Sequence, residues 1–370
     1  MKLCRILSVL FFLLLFSCSQ EKTYKLVERD GVEHFSNNGK PSNPNLKIFL
    51  TKLFEINGTN SQSKDSAQFT NPTVIDVDKA GNIYILDTQL SSVKKFSQNG
   101  KFITTISRNG KGPGETQQPV AMFLQNDTLC ILNHSVKQIV KHDCTGNFIT
   151  NVSTKKCYLP VNLHVLTDKS LVAYLCNWRK TDKGRFMDYD LALITNKYDI
   201  QKYFYKQAIA EKDVEVIDYD HPFTIINNKL AIAFNDKAKY KIECFDDNGN
   251  KTSIIEKKYR IINFSKDELN SIYNGNVPVN APKQKNPVNR LLTAYDGRLI
   301  AAVSVERQAN NKNDYIADVF NNGIFENRIK IDIPANSEEK YNTMVYIFKN
   351  RLYLINTETA IITVYEYKWS

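Results

Sequence analysis

Trp178, Arg179 and Arg185 fall within eleven residues, Asn177–Met187 (NWRKTDKGRFM). An indole face beside two forked guanidinium donors suits a polar or anionic ligand, held by stacking and paired hydrogen bonds. Trp178 has few apolar neighbours in sequence, whereas a core tryptophan would alternate with apolar residues along a strand. The competing reading packs it against Phe186 of the same stretch. Arg290, opening the run NRLLTAY, is a further cation candidate. His134 and His221 lie beside long connections and complete the candidate ligand-binding set; for each, the alternative is a hydrogen-bonded structural histidine.

Signals for catalysis are sparse. The histidines are His34, His134, His142, His164 and His221, and no GxSxG, HExxH or phosphate-binding loop occurs. Gly110–Glu115 (GKGPGE) has the glycines of a phosphate loop, but no helix pattern follows and Pro113 removes a donor. No catalytic residue and no cofactor is therefore assigned. Asp76, Asp78 and Asp87 could offer carboxylates to a metal, which gives the alternative function, a metal-dependent hydrolase or lyase. An oxygen cage needs several converging ligands, and the corresponding runs elsewhere (VAMFLQN, VNLHVLT, PFTIINN, NRLLTAY, NTMVYIF) carry no matching acids. Cys130, Cys176 and Cys244 fall in apolar runs and read as small core residues. Cys144 and Cys157 are a candidate disulfide, and no cysteine or histidine spacing suits zinc.

The elements that must carry these residues repeat. Within 71–119, four runs rich in Ile, Val, Tyr, Phe and Thr (Thr73–Val77, Ile83–Leu86, Val93–Phe96, Phe102–Ile106) are separated by Gly, Asn and Asp, the pattern of an antiparallel meander. The second run, GNIYIL, has echoes at NDTLCIL, DKSLVAY, NNKLAIA, DGRLIAA and KNRLYLI. The third, VKKFSQNGKFI, has echoes beginning at Ile139, Leu191, Lys241 and Ile316. Because the two series keep step, they predict an all-β, six-bladed β-propeller of four-stranded antiparallel blades. The blades are expected at about 71–109, 119–153, 160–206, 221–257, 288–332 and 342–369. The last unit is one strand short, and an orphan strand at 46–56 is expected to complete it, closing the ring within a domain spanning 46–370.

In such a blade the turns between strands one and two, and three and four, share one rim; the remaining connections share the other. The first rim is short throughout. The second carries Arg108–Gln118, Asn177–Met187, Lys206–Asp220, Glu256–Pro287 and Glu306–Asn313. Irregular length gathered on one face of a rigid scaffold points to a binding face, since neutral loop growth would load both rims. Within Glu256–Pro287, Ser265-Lys-Asp-Glu268 is a capping box, and a short helix is expected to lay Leu269, Ile272 and Tyr273 against the rim.

At the N-terminus, Lys2 and Arg5 precede an apolar run, Ile6–Phe16, too short to span a bilayer as a mature helix. Residues 1–17 read as a secretory signal. Residues 18–45 are polar and read as a flexible tether. The formal net charge is +10 with the charges scattered; without a basic helix or an aromatic RNA motif, nucleic acid is not an expected partner.

Leu15-Phe16-Ser17-Cys18 resembles a bacterial lipobox, which implies lipidation of Cys18; a plain signal peptide is the alternative. With the repeating GNIYILD and VKKFS-x-NGKFI pattern and Gly110–Glu115, the chain resembles the six-bladed propeller lipoproteins of the Bacteroidota, themselves similar to NHL-repeat and TolB-type propellers. The resemblance implies a propeller anchored in the cell envelope, on the outer or inner membrane, facing the periplasm or the cell surface. The function expected is non-catalytic binding of a glycan, peptide or protein partner on the rim with the long loops.

Overall fold

The computed structural model describes residues 22–58, 67–155, 159–214, 221–234, 236–306, 315–333 and 343–370. Cys18 and Cys157 lie outside the described residues.

The inner strands follow from patterning that buries both faces of a sheet, while an outer strand such as Phe148–Ser153 stays exposed. Ile83, Tyr84, Ile85 and Leu86 are successive and all buried, as expected when sheets are stacked on either side. In chain order, β1 (Tyr24–Arg29) and β2 (Val32–Asn37) form a hairpin, and β3 (Ile48–Asn57) follows. Blade one is β4 (Pro72–Val77), β5 (Ile83–Asp87), β6 (Ser92–Phe96) and β7 (Phe102–Ile106). Blade two is β8 (Pro119–Gln125), β9 (Thr128–Asn133), β10 (Gln138–Asp143) and β11 (Phe148–Ser153). Blade three is β12 (Leu159–Thr167), β13 (Ser170–Thr181), β14 (Gly184–Thr195) and β15 (Ile200–Tyr205), with β16 (Ala208–Ala210) also on β14. Blade four is β17 (Phe223–Ile226), β18 (Lys229–Ala233), β19 (Tyr240–Phe245) and β20 (Lys251–Lys257). The helix α1 (Lys266–Ile272) precedes blade five, which is β21 (Val288–Thr293), β22 (Leu299–Val303), β23 (Tyr315–Asn321) and β24 (Ile324–Ile331). Blade six is β25 (Thr343–Phe348), β26 (Arg351–Asn356), β27 (Ile361–Trp369) and β3.

The first strands β4, β8, β12, β17, β21 and β25 touch in sequence around a closed ring, so they are the innermost. The protein is thus a six-bladed β-propeller. Its sixth blade is closed by the N-terminal strand: β3 lies antiparallel to β27, from Ile361↔Asn57 to Trp369↔Ile48. Phe54 of β3 seats on the β6–β7 turn, where Gly100 has φ +78 and an added Cβ would come within 2.6 Å of the ring. Glycine there serves both the turn and the close approach.

Two expectations need correction. Part of the stretch expected to be a tether, 18–45, is ordered sheet. Strand β2 runs parallel to β20, from Glu33↔Ser253 to Asn37↔Lys257, making blade four six-stranded. Buried Phe35 packs on Gly323 of the β23–β24 turn, with an added Cβ 2.6 Å from its ring. The overlooked signal is Asp30-Gly31, whose φ values of +50 and +74 make the two-residue turn that such a pair favours. Helix α1 forms with its capping box between Ser265 and Glu268, but the residue it buries is Glu268. Lys285 donates to Glu268 at 2.5 Å, and this buried pair, not an apolar stripe, fixes the helix while Ile272 stays exposed.

Candidate functional site

Strands β13 and β14 run twelve residues each, so their hairpin stands above the rim. The register Trp178↔Met187, Arg179↔Phe186 and Lys180↔Arg185 places Trp178 and Arg185 on one face and Arg179 on the other, because side chains alternate along a strand. The expected platform of all three is therefore divided. Trp178 is 41% exposed, and the Arg185 guanidinium lies 4.7 Å from its ring centre. Glu211 accepts from Arg185 Nη1 at 2.9 Å. On the reverse face, Arg179 Nε donates to both Asp188 oxygens at 2.8 and 2.9 Å, and its guanidinium lies 5.3 Å from the Phe186 ring. Phe186 thus stacks with Arg179 rather than covering Trp178. The pairing of Met187 with Ile209 of β16, both buried, roots the hairpin.

A cleft of about 450 Å³ opens on the Arg179 face, between Asn177, Asp188, Asp190, Tyr203, Lys206 and Gln207. Burial pushes the Asp190 carboxyl up; a hydrogen bond from Gln207 N–H and the Lys206 charge oppose the shift. The Lys206 ammonium sits 3.7 Å from the Tyr203 ring centre. Sequence reading missed this cleft, because its residues come from three strands and a connection.

The other candidates disperse. His134 is exposed in the β9–β10 turn on the same rim. His221 is only 7% exposed, in T-shaped contact with Tyr205 at 4.1 Å. Its backbone carbonyl accepts from Tyr174 Oη at 2.8 Å, and burial pushes its imidazole down to about 4. It is a core residue. Arg290, on innermost strand β21, lies 5.3 Å from the Tyr346 ring of the neighbouring β25. Burial first, and then the Arg290 charge, hold His164 of β12 down to about 4. Arg290 therefore belongs to the channel, not to the hairpin site.

Also on the channel strands, Asp76 accepts from Val77 N–H and Leu124 N–H, each at 2.7 Å, and so ties blade one to blade two. Burial pushes it up to about 6. Asp78 instead caps its own turn, accepting from Asn82 at 2.8 Å. Asp87 accepts from Thr70, Gln89 and Leu90 N–H at the other end of the blade. The three acids do not converge. Among the described residues, no three His, Cys, Asp or Glu side chains are grouped to hold a metal ion. Cys130, Cys144, Cys176 and Cys244 are free thiols, and Cys144 Sγ donates to the Asp127 carbonyl.

The second rim carries a larger cleft, of about 770 Å³, between blades four and five. Its walls are the ends of β20 and β24, the segment after β22, and Asn38–Lys40 following the added hairpin.

Among solved structures, the chain resembles a virginiamycin B lyase from Staphylococcus aureus at 12% identity and a TM-score of 0.47, covering 86% of this chain and 99% of that one. A member of the DUF4221 family from Bacteroides vulgatus matches at 11% identity and TM-score 0.49, covering 88% and 99%. A gluconolactonase from Xanthomonas campestris matches at 10% and 0.45, covering 90% and 99%. At such identities and scores, nothing of those proteins' chemistry passes to this chain. No curated protein matches by sequence. Residues 45–243 match the model of a family described as "6-bladed beta-propeller" (DUF5128), and the chain belongs to that family.

Proposed function

We propose that this propeller is a non-catalytic binding protein of the cell envelope, held to the membrane through lipidated Cys18, that takes a polar ligand on the rim bearing its long connections. The observation that carries this reading is the asymmetry of the rims. The raised β13–β14 hairpin with half-exposed Trp178 and both clefts described above lie on one rim. The other is built of tight turns such as Asp143–Asn147, where Asp143 accepts from Thr145 and Asn147 N–H. Concave sites with a few placed polar groups, borne on a rigid scaffold, are the usual form of ligand sites. The dispersal of Asp76, Asp78 and Asp87 onto backbone N–H groups supports binding over metal-assisted hydrolysis or lysis.

For anchoring, support comes from the charged and apolar leader ending at Cys18. No helix among the described residues is long and apolar enough to cross a membrane. The test of the binding reading is a panel of immobilised neutral and acidic glycans and peptides, probed with the wild type and with Trp178→Ala. Loss of a panel signal with an unchanged melting temperature is expected, since Trp178 is largely outside the core. A melt lowered by several degrees with every signal intact would mean that Trp178 is packing.

A further inference from the structure

We propose that the cleft between blades four and five binds an acidic oligosaccharide, a sugar chain bearing sulfate or carboxylate groups. This rests on the reading of the long-looped rim as the binding face and names the ligand class of a place on it remote in sequence from Trp178. The lining includes six cations, Lys40, Lys257, Lys258, Arg260, Arg328 and Lys330, against the acid Glu306. At about 770 Å³ the cleft lies within the roughly 300–1,000 Å³ usual for ligand pockets.

The charge is set into the wall. Lys257 Nζ lies 3.1 Å from Asp318 Oδ2, while Arg328 donates to the same carboxylate from Nε at 2.7 Å and Nη2 at 3.1 Å. Asp318 is fully buried and the Lys257 side chain is 7% exposed. One carboxylate thus serves two cations, the buried Lys257 and the 44% exposed Arg328, leaving an excess positive charge in the cleft wall. Burial correspondingly pushes the Lys257 ammonium down despite its Asp318 partner. At the mouth, Arg260 meets Glu306 at 2.7 Å and Lys330 meets Asp332 at 3.6 Å, both as exposed pairs. Such pairs are weak and exchange readily for a ligand with several anionic groups.

Two features favour a sugar over a peptide. On the blade-four side the sheet edge is occupied, because β2 covers β20; on the blade-five side Ser42 and Asn43 N–H take the Phe325 and Glu326 carbonyls at the start of β24, ahead of the lining residues Arg328–Lys330. A peptide could not add to β20 as a strand, so recognition on that side falls to side chains. Between the cations, Tyr259, Ile262, Val305 and Ile316 give an apolar surface suited to the C–H face of a pyranose ring.

The experiment is calorimetric titration of the full chain with four probes: a heparin-derived tetrasaccharide, tetragalacturonate, neutral maltotetraose and an octaglutamate peptide. The proteins are wild type, the surface double variant Lys258→Gln/Arg260→Gln, Trp178→Ala, and Tyr295→Ala from the opposite rim. At least one acidic sugar is expected to bind, weakening as salt rises, and to lose about tenfold in affinity in the double variant while Tyr295→Ala leaves it unchanged. Failure of both acidic sugars to bind overturns the proposal, as does octaglutamate binding alone. Acidic-sugar binding that survives the double variant but is lost in Trp178→Ala removes the cleft and leaves the rim reading standing. Loss confined to Tyr295→Ala overturns both.

Discussion

Trp178 and Arg179 adjoin in sequence yet face opposite ways, and this decides what each can do. Trp178 pairs with Arg185, two positions along the partner strand from its direct neighbour, while Arg179 turns to Asp188. The period of two was available in the sequence, but only once Asn177–Met187 is read as paired strand rather than loop. His221 takes the structural alternative of its two readings, since nearness to a connection says nothing of burial. Its native imidazole is held down to about 4, against an ordinary value near 6.5. Between those values the unfolded chain takes up a proton that the folded one refuses, so His221 removes stability as pH falls below about 6.5. Near pH 5 the effect is about 2 kcal/mol. Replacing His221 with Phe, which keeps the packing on Tyr205, should flatten the fall in urea midpoint between pH 7 and pH 5. An unchanged slope would remove His221 from the acid sensitivity.

Among the elements, β3 was legible and the hairpin β1–β2 was not. The final unit was visibly one strand short, so a complement had to be sought upstream, and register with β27 supplies it. Blade four already had its four strands, so nothing in the repeat required a fifth and sixth. Only the Asp30-Gly31 turn and the single buried aromatic, Phe35, marked them. Deleting residues 22–40 should leave the ring closed but uncover β20 and empty the site of Phe35. The expected cost is about 3–5 kcal/mol, the range for truncating a buried phenylalanine. Urea unfolding followed by circular dichroism measures it. An unchanged midpoint would show that the hairpin contributes nothing to the fold. The same deletion removes Lys40 and one wall of the larger cleft, which places that cleft's assembly on an element outside the repeat.

For the whole molecule, repeat counting was the strongest sequence signal because each blade can bury its faces only against its neighbours. The clefts were beyond it. The larger one joins residues near 40, 258, 305 and 328, and no local pattern announces a juxtaposition made by ring closure and an added strand pair. Anchoring belongs to this scale as well. Cys18→Ala should move the protein from the membrane fraction to the soluble one, since a lipid chain is the only anchor proposed for it. Retention in membranes would contradict the lipoprotein reading.

Two exposed aromatics, one on each rim, test whether binding is confined to one of them. Trp178 is 41% exposed on the long-looped rim, and Tyr295 is 74% exposed in the β21–β22 turn on the other. The measurement is the affinity of the glycan and peptide probes for Trp178→Ala and for Tyr295→Ala, each beside its melting curve. At least one probe is expected to be lost in Trp178→Ala and none to change in Tyr295→Ala, with both melts as in the wild type. Probe loss in Tyr295→Ala with Trp178→Ala unaffected would place binding on the opposite rim and overturn the assignment of the long-looped rim as the binding face.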